Sequence, residues 1–559
     1  MTSTQSAESA IEAKREVEAS PGVASRVLLP VFWALIAVYV LLVAYNIFSM
    51  DGTFSPDSIF YIDAAQNLLA GRGIATSMGE LQPLVDSQVS LPRPMTVWAP
   101  LYPMMIAVLG LAGLHVTAGA FLLPVTFMFF CLRAAYLLLS RLYSVPVACF
   151  AVALLVHFFP LRHVVVHPWS ESIGMTLVLA SFFVLAGRGS DQSISNLRAF
   201  GGGVVAGLAV GVRYALIPVV GIAPLFFLSA RPGRADAFRS LSFLAGTACV
   251  IAPVFGRSIW QTGSIGGARG ASIPLDVGES FGYLHRALVA STSVESLLAK
   301  MFLAGVLVAI VILVVLQIRR GTFFENAREA LVERRQFLLL VWAAGYLVFL
   351  MYTQTRVRVD PIDLRLVFPA TLVFCMFIGA FLVQLGGFSK RVLAACAVAL
   401  VLFGIGRELP DVRARMRAKL TPVYDVQAKL GRSETLTWLA QNVTTNDLLF
   451  AENGLDLPLY LGPVDTVFFR PSVIADSRIS YAVMTAYIEG SDACTRYRHI
   501  YIVLENKGEA TETIADRYGQ FTADLLAGSL TDYPGVVLRE RLEDGSVFEY
   551  QCDKVVSVQ

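Results

Sequence analysis

Charged side chains are scarce in this 559-residue sequence: Asp, Glu, Lys and Arg make up 15% of it, against roughly a quarter in an ordinary soluble domain. With 56% hydrophobic residues, that scarcity excludes a water-soluble globular chain and implies a membrane protein. The charges present nearly cancel, 44 basic against 42 acidic for a net +2, so nothing in the total calls for a nucleic-acid partner. Cysteine is sparse as well, and no spacing of the 7 cysteines matches a zinc site. Five of them (Cys131, Cys149, Cys249, Cys375, Cys396) fall in apolar runs and read as packing. Cys494 and Cys552 lie in a polar C-terminal region and suit a disulfide if that region faces an oxidising compartment. Internal repeats are missing, which weighs against an inverted-repeat transporter. A short signal-peptide core is missing too: the first apolar run, 27–48, is longer than such cores and reads as an uncleaved transmembrane helix after a polar tail, 1–26.

Long apolar runs are abundant. Segments able to span a bilayer, or nearly so, begin close to Val27, Thr117, Val145, Ser170, Phe200, Leu216, Phe238, Leu298, Gln336, Leu364 and Arg391. The sequence therefore predicts an α-helical polytopic membrane protein of about eleven spans, with the membrane part covering 27–407. Basic residues belong on the cytoplasmic side. With the N-terminus cytoplasmic, inner loops carry Arg141, Arg188, Arg198, Arg231, Arg234, Arg319, Arg320, Arg334, Arg335, Lys390 and Arg391. The loop 50–116 is then external, as is everything beyond about 408, in the plasma (inner) membrane orientation. The run 101–114 is too short to span and is expected to lie against the outer surface. Residues 408–559 alternate helix-like and strand-like segments, with Asp544-Gly545 as a hairpin turn. They predict an extracytoplasmic α/β domain.

Three groups of residues on the external side can carry chemistry. Asp57 opens the loop and shares a helical face with Tyr61, four residues on. A carboxylate at a membrane boundary can act as a general base, or simply begin a helix. Glu171 follows an HPWSE stretch beside His163 and His167, and ionisable groups at membrane depth point to function. It can bind an acceptor or a sugar hydroxyl, or serve as a helix start. The two histidines with a carboxylate could hold a divalent metal ion; no other cofactor is indicated. The third group is arginine: Arg213, Arg257, Arg269, Arg356, Arg358 and Arg365, most of them against the positive-inside trend. A fixed guanidinium there suits a phosphate, whereas pairing with Asp360, Asp363 or lipid headgroups is the plainer alternative.

The ordered set PDSIFYIDAAQNLLAGRG, VWAPLYPMMIAVLG, HPWSE, GRSIWQTGSIGG and DLRLVFP resembles the GT-C superfamily of glycosyltransferases. The branch it resembles holds bacterial relatives of protein mannosyltransferases and the lipid A aminoarabinose transferases. The resemblance covers the membrane part and implies a polyprenyl-phosphate-linked sugar donor, an extracytoplasmic acceptor and inversion at the anomeric carbon. It implies Asp57 as base, Glu171 as a second acidic residue of the site, and Arg365, with Arg257 or Arg213, at the donor phosphate. Tyr61, Asp63, Trp98, Tyr102 and His167 are the expected sugar or acceptor contacts, Trp98 and Tyr102 being also suited to anchoring the surface helix. The chain departs from the branch in having Ser58 where a second adjacent acid is common, and Ala99-Pro100-Leu101 in place of a His-Pro-Pro run. A polyprenyl-diphosphate-linked polysaccharide ligase or polymerase, and a lipid or solute transporter, are the competing readings.

Overall fold

The computed structural model describes residues 23–49, 54–80, 91–186, 194–227, 233–265, 267, 275–291, 337–356, 362–386, 388–418, 432–452, 457–469, 481–505, 520–531 and 533–555. Arg269, Arg358, Asp360 and the span expected from Leu298 lie outside them, as do residues 1–22 of the N-terminal tail.

The first helix, α1 (Val23–Phe48), is apolar almost throughout. After it, α2 (Pro56–Leu69) starts where Ser55 accepts from the Ser58 N–H at 3.2 Å and Pro56 takes the first helical position, at which a missing N–H is harmless. Then come α3 (Leu101–Leu111), α4 (Val116–Leu142), α5 (Val145–Leu155), α6 (Phe159–Val166), α7 (Glu171–Leu185) and α8 (Asn196–Val212). The chain continues through α9 (Pro218–Ile222), α10 (Arg234–Thr262), α11 (Val277–Ser291), α12 (Phe337–Gln354), α13 (Leu364–Gly386) and α14 (Lys390–Ala418). Among the described residues, 4 helices are long and apolar enough to cross a membrane alone, and the α5–α6 pair, bent by 57°, makes a fifth if counted as one span. At 11 residues α3 falls short of that length.

Lipid tails are as apolar as leucine, so helices in a membrane attract one another chiefly through close packing. The α8–α10 crossing achieves this with glycine. A Cβ on Gly203 would fall 2.0 Å from the Phe243 carbonyl oxygen, and one on Gly246 would fall 2.2 Å from that of Phe200. Thr247 donates across the same contact to the Gly203 carbonyl at 3.0 Å. Elsewhere in the bundle, α14 runs on to Ala418 and packs against α1. Glu408, within it, is fully buried, accepting from Asn46 Nδ2 at 3.0 Å and paired with Arg162 at 3.2 Å and Arg407 at 3.3 Å.

Beyond α14 the chain builds a six-stranded sheet in the order β2-β5-β4-β6-β8-β7, with β4 (Leu448–Glu452), β5 (Asp465–Phe469), β6 (Ile500–Glu505), β7 (Val536–Arg541) and β8 (Gly545–Tyr550). Its edge strand β2 (Met78–Glu80) comes from the loop that follows α1, running parallel to β5 in the register Met78↔Thr466. A two-stranded ribbon in that loop pairs β1 (Ala75–Thr76) with β3 (Arg93–Pro94). Alternation along β4 sends Leu448 and Phe450 into one apolar cluster and Leu449 and Ala451 into another, so both faces of the sheet are covered. Leu91, also from the first loop, is part of the former cluster. A disulfide joins Cys494 and Cys552, closing a separation of 58 residues. The first loop and the C-terminal sheet are thus one structure.

Candidate active site

Four charged side chains from four helices meet where α2, α7, α8 and α13 converge. Asp57 stands in the first turn of α2, 17% exposed at its side chain, and is ion-paired with Arg365 in the first turn of α13. Its other oxygen accepts from Trp98 Nε1 at 3.1 Å. Glu171, in the first turn of α7, is wholly buried, with Arg213 Nη1 at 2.8 Å and Arg365 Nε at 3.5 Å from its Oε1. Arg213 reaches it because α8 ends there: the residue is extended (φ −154°, ψ 110°) between α8 and the short turns leading to α9. The break that the Gly- and Pro-rich sequence foreshadows puts an arginine at a helix terminus inside the protein. Arg365 is therefore shared between two carboxylates and lies over the Trp169 ring, its Cζ 4.9 Å from the centroid. Glu171 Oε2 has no hydrogen-bond partner among the described residues.

Aromatic residues surround this array. Trp98 stacks on Phe60 with centroids 4.3 Å apart, and the edge-on pair Tyr61 and Tyr102 are 4.9 Å apart. Tyr61 is buried, and its neighbours include the charges of Asp57, Arg213 and Glu171. Tyr102 is also buried and donates its hydroxyl to the Ala120 carbonyl at 2.9 Å, which ties α3 to α4. His163 and His167 pack their rings around Trp169, at 5.6 and 4.4 Å between centroids. Among the described residues, no three His, Cys, Asp or Glu side chains gather into a metal-binding set.

Two of the residues singled out in the sequence serve elsewhere. Arg257 forms no ion pair among the described residues; it donates to the Met95 carbonyl at 2.8 Å and to the Ile74 carbonyl, stitching α10 to the first loop. Asp63 is completely buried midway along α2, accepting from Thr76 Oγ1 at 2.7 Å, the Ser77 N–H at 2.8 Å and Asn67 Nδ2 at 3.0 Å. Burial outweighs these donors and pushes the Asp63 carboxyl up to about 7. Nearby, Arg72 donates to the Pro463 carbonyl at 2.8 Å and pairs with Asp465 at 3.4 Å, and Tyr497 donates to Asp465 at 2.8 Å. Burial raises the Asp465 carboxyl as well, against the hydrogen bond from Tyr497 and the charge of Arg72. These groups weld α2 to the C-terminal sheet. Asp363 and Arg356 are at the rim, Asp363 lying 3.8 Å from Arg365 and Arg356 over Tyr352. The sequence reading passed over Asn46, Arg162 and Glu408, since the first two sit singly in apolar or aromatic runs and Glu408 has Arg407 beside it.

No protein-family model and no curated protein matches the sequence. Solved structures do match. ArnT from Cupriavidus metallidurans in the apo state superposes with a TM-score of 0.56 at 12% identity, covering 94% of this chain and 98% of ArnT. The same enzyme bound to undecaprenyl phosphate gives 0.53 at 13% identity, covering 93% and 98%. The arabinofuranosyltransferase AftD from Mycobacteria gives 0.50 at 12% identity, covering 93% of this chain and 40% of AftD. Both are GT-C glycosyltransferases. The chain has the GT-C fold.

Proposed function

We propose that this protein is an inverting glycosyltransferase that moves a sugar from a polyprenyl-monophosphate carrier to an acceptor on the outer side of the plasma membrane. One observation carries the reading: Asp57, Arg365, Glu171 and Arg213 form a continuous chain of ion pairs where α2, α7, α8 and α13 converge. ArnT, which shares the fold, has been crystallised with undecaprenyl phosphate. In the resting protein Arg365 neutralises Asp57. An arriving donor phosphate competes for that guanidinium, and Arg213 supplies the second cation. Arg365 thereby passes to the phosphate and Asp57 is released to work as a base.

The acceptor, a hydroxyl or amine of a lipid, glycan or protein, then attacks the anomeric carbon from the face opposite the phosphate. Its proton passes to Asp57 as the new bond forms. The bond from the anomeric carbon to the phosphate oxygen breaks with its electron pair, and polyprenyl phosphate leaves. Charge grows on that oxygen during the step, so fixed arginines stabilise the transition state more than the ground state. Glu171 orients both arginines and offers Oε2 to a sugar or acceptor hydroxyl. Trp98 holds Asp57 in place with its N–H and presents a ring beside the sugar. The lipid tail lies in a groove between the spans, and no step is routed through a metal ion.

The test is incubation of purified protein and D57N with radiolabelled undecaprenyl- and decaprenyl-phosphate sugars and envelope acceptors. Transfer or donor hydrolysis by the wild type that D57N loses supports the reading. Normal turnover by D57N removes the base assignment, and no turnover of any monophosphate donor favours the diphosphate ligase or the transporter.

A further inference from the structure

Several arginines in the helical part of this protein donate to backbone carbonyls or pair with carboxylates. Arg141 donates to the Phe183 and Ala186 carbonyls, and Arg198 donates to those of Val184 and Ala186, so that the end of α7 is doubly capped. Arg162 is paired with Glu408, and Arg213 and Arg365 with Glu171. Arg133 is different. It lies within α4, makes no ion pair or hydrogen bond among the described residues, and has Nη1 buried without a partner. Its guanidinium rests instead on two rings, Cζ being 4.9 Å from the Trp33 centroid and 5.1 Å from that of Tyr136. Those rings meet edge-on at 5.3 Å, and the Trp33 Nε1 is likewise buried without a partner. Arg133 and Trp33 are only partly buried, so the group opens on the surface of the bundle.

The depth of this group follows from the helices. Phe121 of α4 faces Phe48 and Phe54 at 6.5 and 5.5 Å, level with the start of the loop that carries Asp57. Arg133 is 12 residues further along α4 and Trp33 is 15 residues back along α1, so both lie roughly 20 Å below that level at 1.5 Å per residue. In a hydrocarbon core of about 30 Å that depth is past the midplane, about 10 Å short of the far boundary, a gap that local thinning of the bilayer around a buried cation closes for a headgroup phosphate of the opposite leaflet. Stacking on aromatic faces stabilises a desolvated guanidinium by up to about 2 kcal/mol. It does not answer the N–H groups, each of which costs about 1–3 kcal/mol when buried unpaired.

We propose that Trp33, Arg133 and Tyr136 form a binding site for the phosphate headgroup of a membrane lipid in the leaflet opposite Asp57. A phosphate supplies what the group lacks, a negative charge and several acceptor oxygens, and charge-assisted hydrogen bonds to arginine are strongest where water is excluded. Arg133 carries the charge, Trp33 adds an indole N–H, and Tyr136 closes the far side. The ligand is a phospholipid of the bilayer or a polyprenyl phosphate resting in that leaflet, the phosphate being common to both.

The experiment is titration of delipidated full-length protein by native mass spectrometry with phosphatidylglycerol, undecaprenyl phosphate, phosphatidylcholine and inorganic phosphate. Every protein carries R365Q to silence the Asp57 side, with R133Q or W33F added. The expected result is about tenfold weaker binding of one or both anionic lipids by R133Q and about threefold by W33F, the size of one charged or one neutral hydrogen bond. Which lipid responds identifies the source. Equal binding of both anionic lipids with and without R133Q and W33F overturns the site, as does equal loss of phosphatidylcholine. Should R133Q fail to fold, W33F alone decides, because it leaves an aromatic face for the guanidinium while removing the indole N–H.

Discussion

Asp57 and Asp63 ride on the same 14-residue helix and live in opposite surroundings. Asp57 is partly open, held by one indole N–H and an arginine that is also engaged with Glu171. Asp63 is sealed, its oxygens met by a hydroxyl, an amide and a backbone N–H from the adjoining loop. An acid whose partner can be drawn away by a ligand is available for chemistry, whereas one saturated by neutral donors fixed in the fold holds structure. The comparison divides α2 into a proposed working end, its N-terminal turn, and an anchored remainder, and the anchored part is what joins it to the C-terminal sheet.

The largest expected effect breaks or upholds the working end. D57N should lower transfer by about 10²–10⁴-fold, the usual contribution of a general base, with the melting temperature little changed because the amide still accepts from Trp98. Turnover near the wild-type rate would make both ends of α2 structural. Next, R365Q should weaken donor binding by about 10–100-fold, as loss of a charged hydrogen bond does, in an equilibrium titration with undecaprenyl phosphate. It also leaves Asp57 without its cation.

D63N should leave transfer within about threefold and act on stability. An amide cannot accept from all of Asn67, Thr76 and Ser77, so a loss of about 1–3 kcal/mol is expected. The pH dependence carries the sharper sign. Folding raises the Asp63 carboxyl from 3.8 to about 7, so the folded state holds the extra proton between those values and stability falls as pH rises through that window. The melting temperature of the wild type should drop from pH 4 to pH 7 and level off above. D63N should lose most of that slope, and a slope unchanged in D63N would remove Asp63 as its source. The smallest effect on turnover belongs to C494S with C552S. The 58-residue separation corresponds to about 4 kcal/mol of chain entropy in the loop-closure model. Melting temperature should fall while initial rates at 25 °C hold, and a parallel fall in rate would show that the sheet tunes the working end as well.

Much of the candidate site was legible because the arginines and acids expected outside the membrane stand out in a chain so poor in charge. Glu171 and Arg365 could be singled out that way, as could the helix break at Arg213. Their pairing could not, since Arg365 and Asp57 are 308 residues apart and no spacing rule reaches that far. Arg257 looked equivalent to Arg365 in sequence; only the course of the first loop showed that its donors go to carbonyl groups. Asp63 looked like a sugar or acceptor contact because it lies in the same stretch as Asp57, yet the turn to Thr76 and Ser77 encloses it. Glu408 was invisible for the opposite reason, standing next to Arg407 at the edge of an apolar run as a surface acid would.

Hydropathy, basic-loop bias and motif order determined from sequence alone that the chain is helical, membrane-embedded and GT-C-like, because burial of apolar surface in lipid depends on composition over a window of about twenty residues. Tertiary structure decided which charges meet, which acid is sealed, and that a strand of the first loop completes the C-terminal sheet. Those outcomes depend on how helices pack and on where a backbone edge finds an unpaired partner, and neither is written in any local stretch of residues.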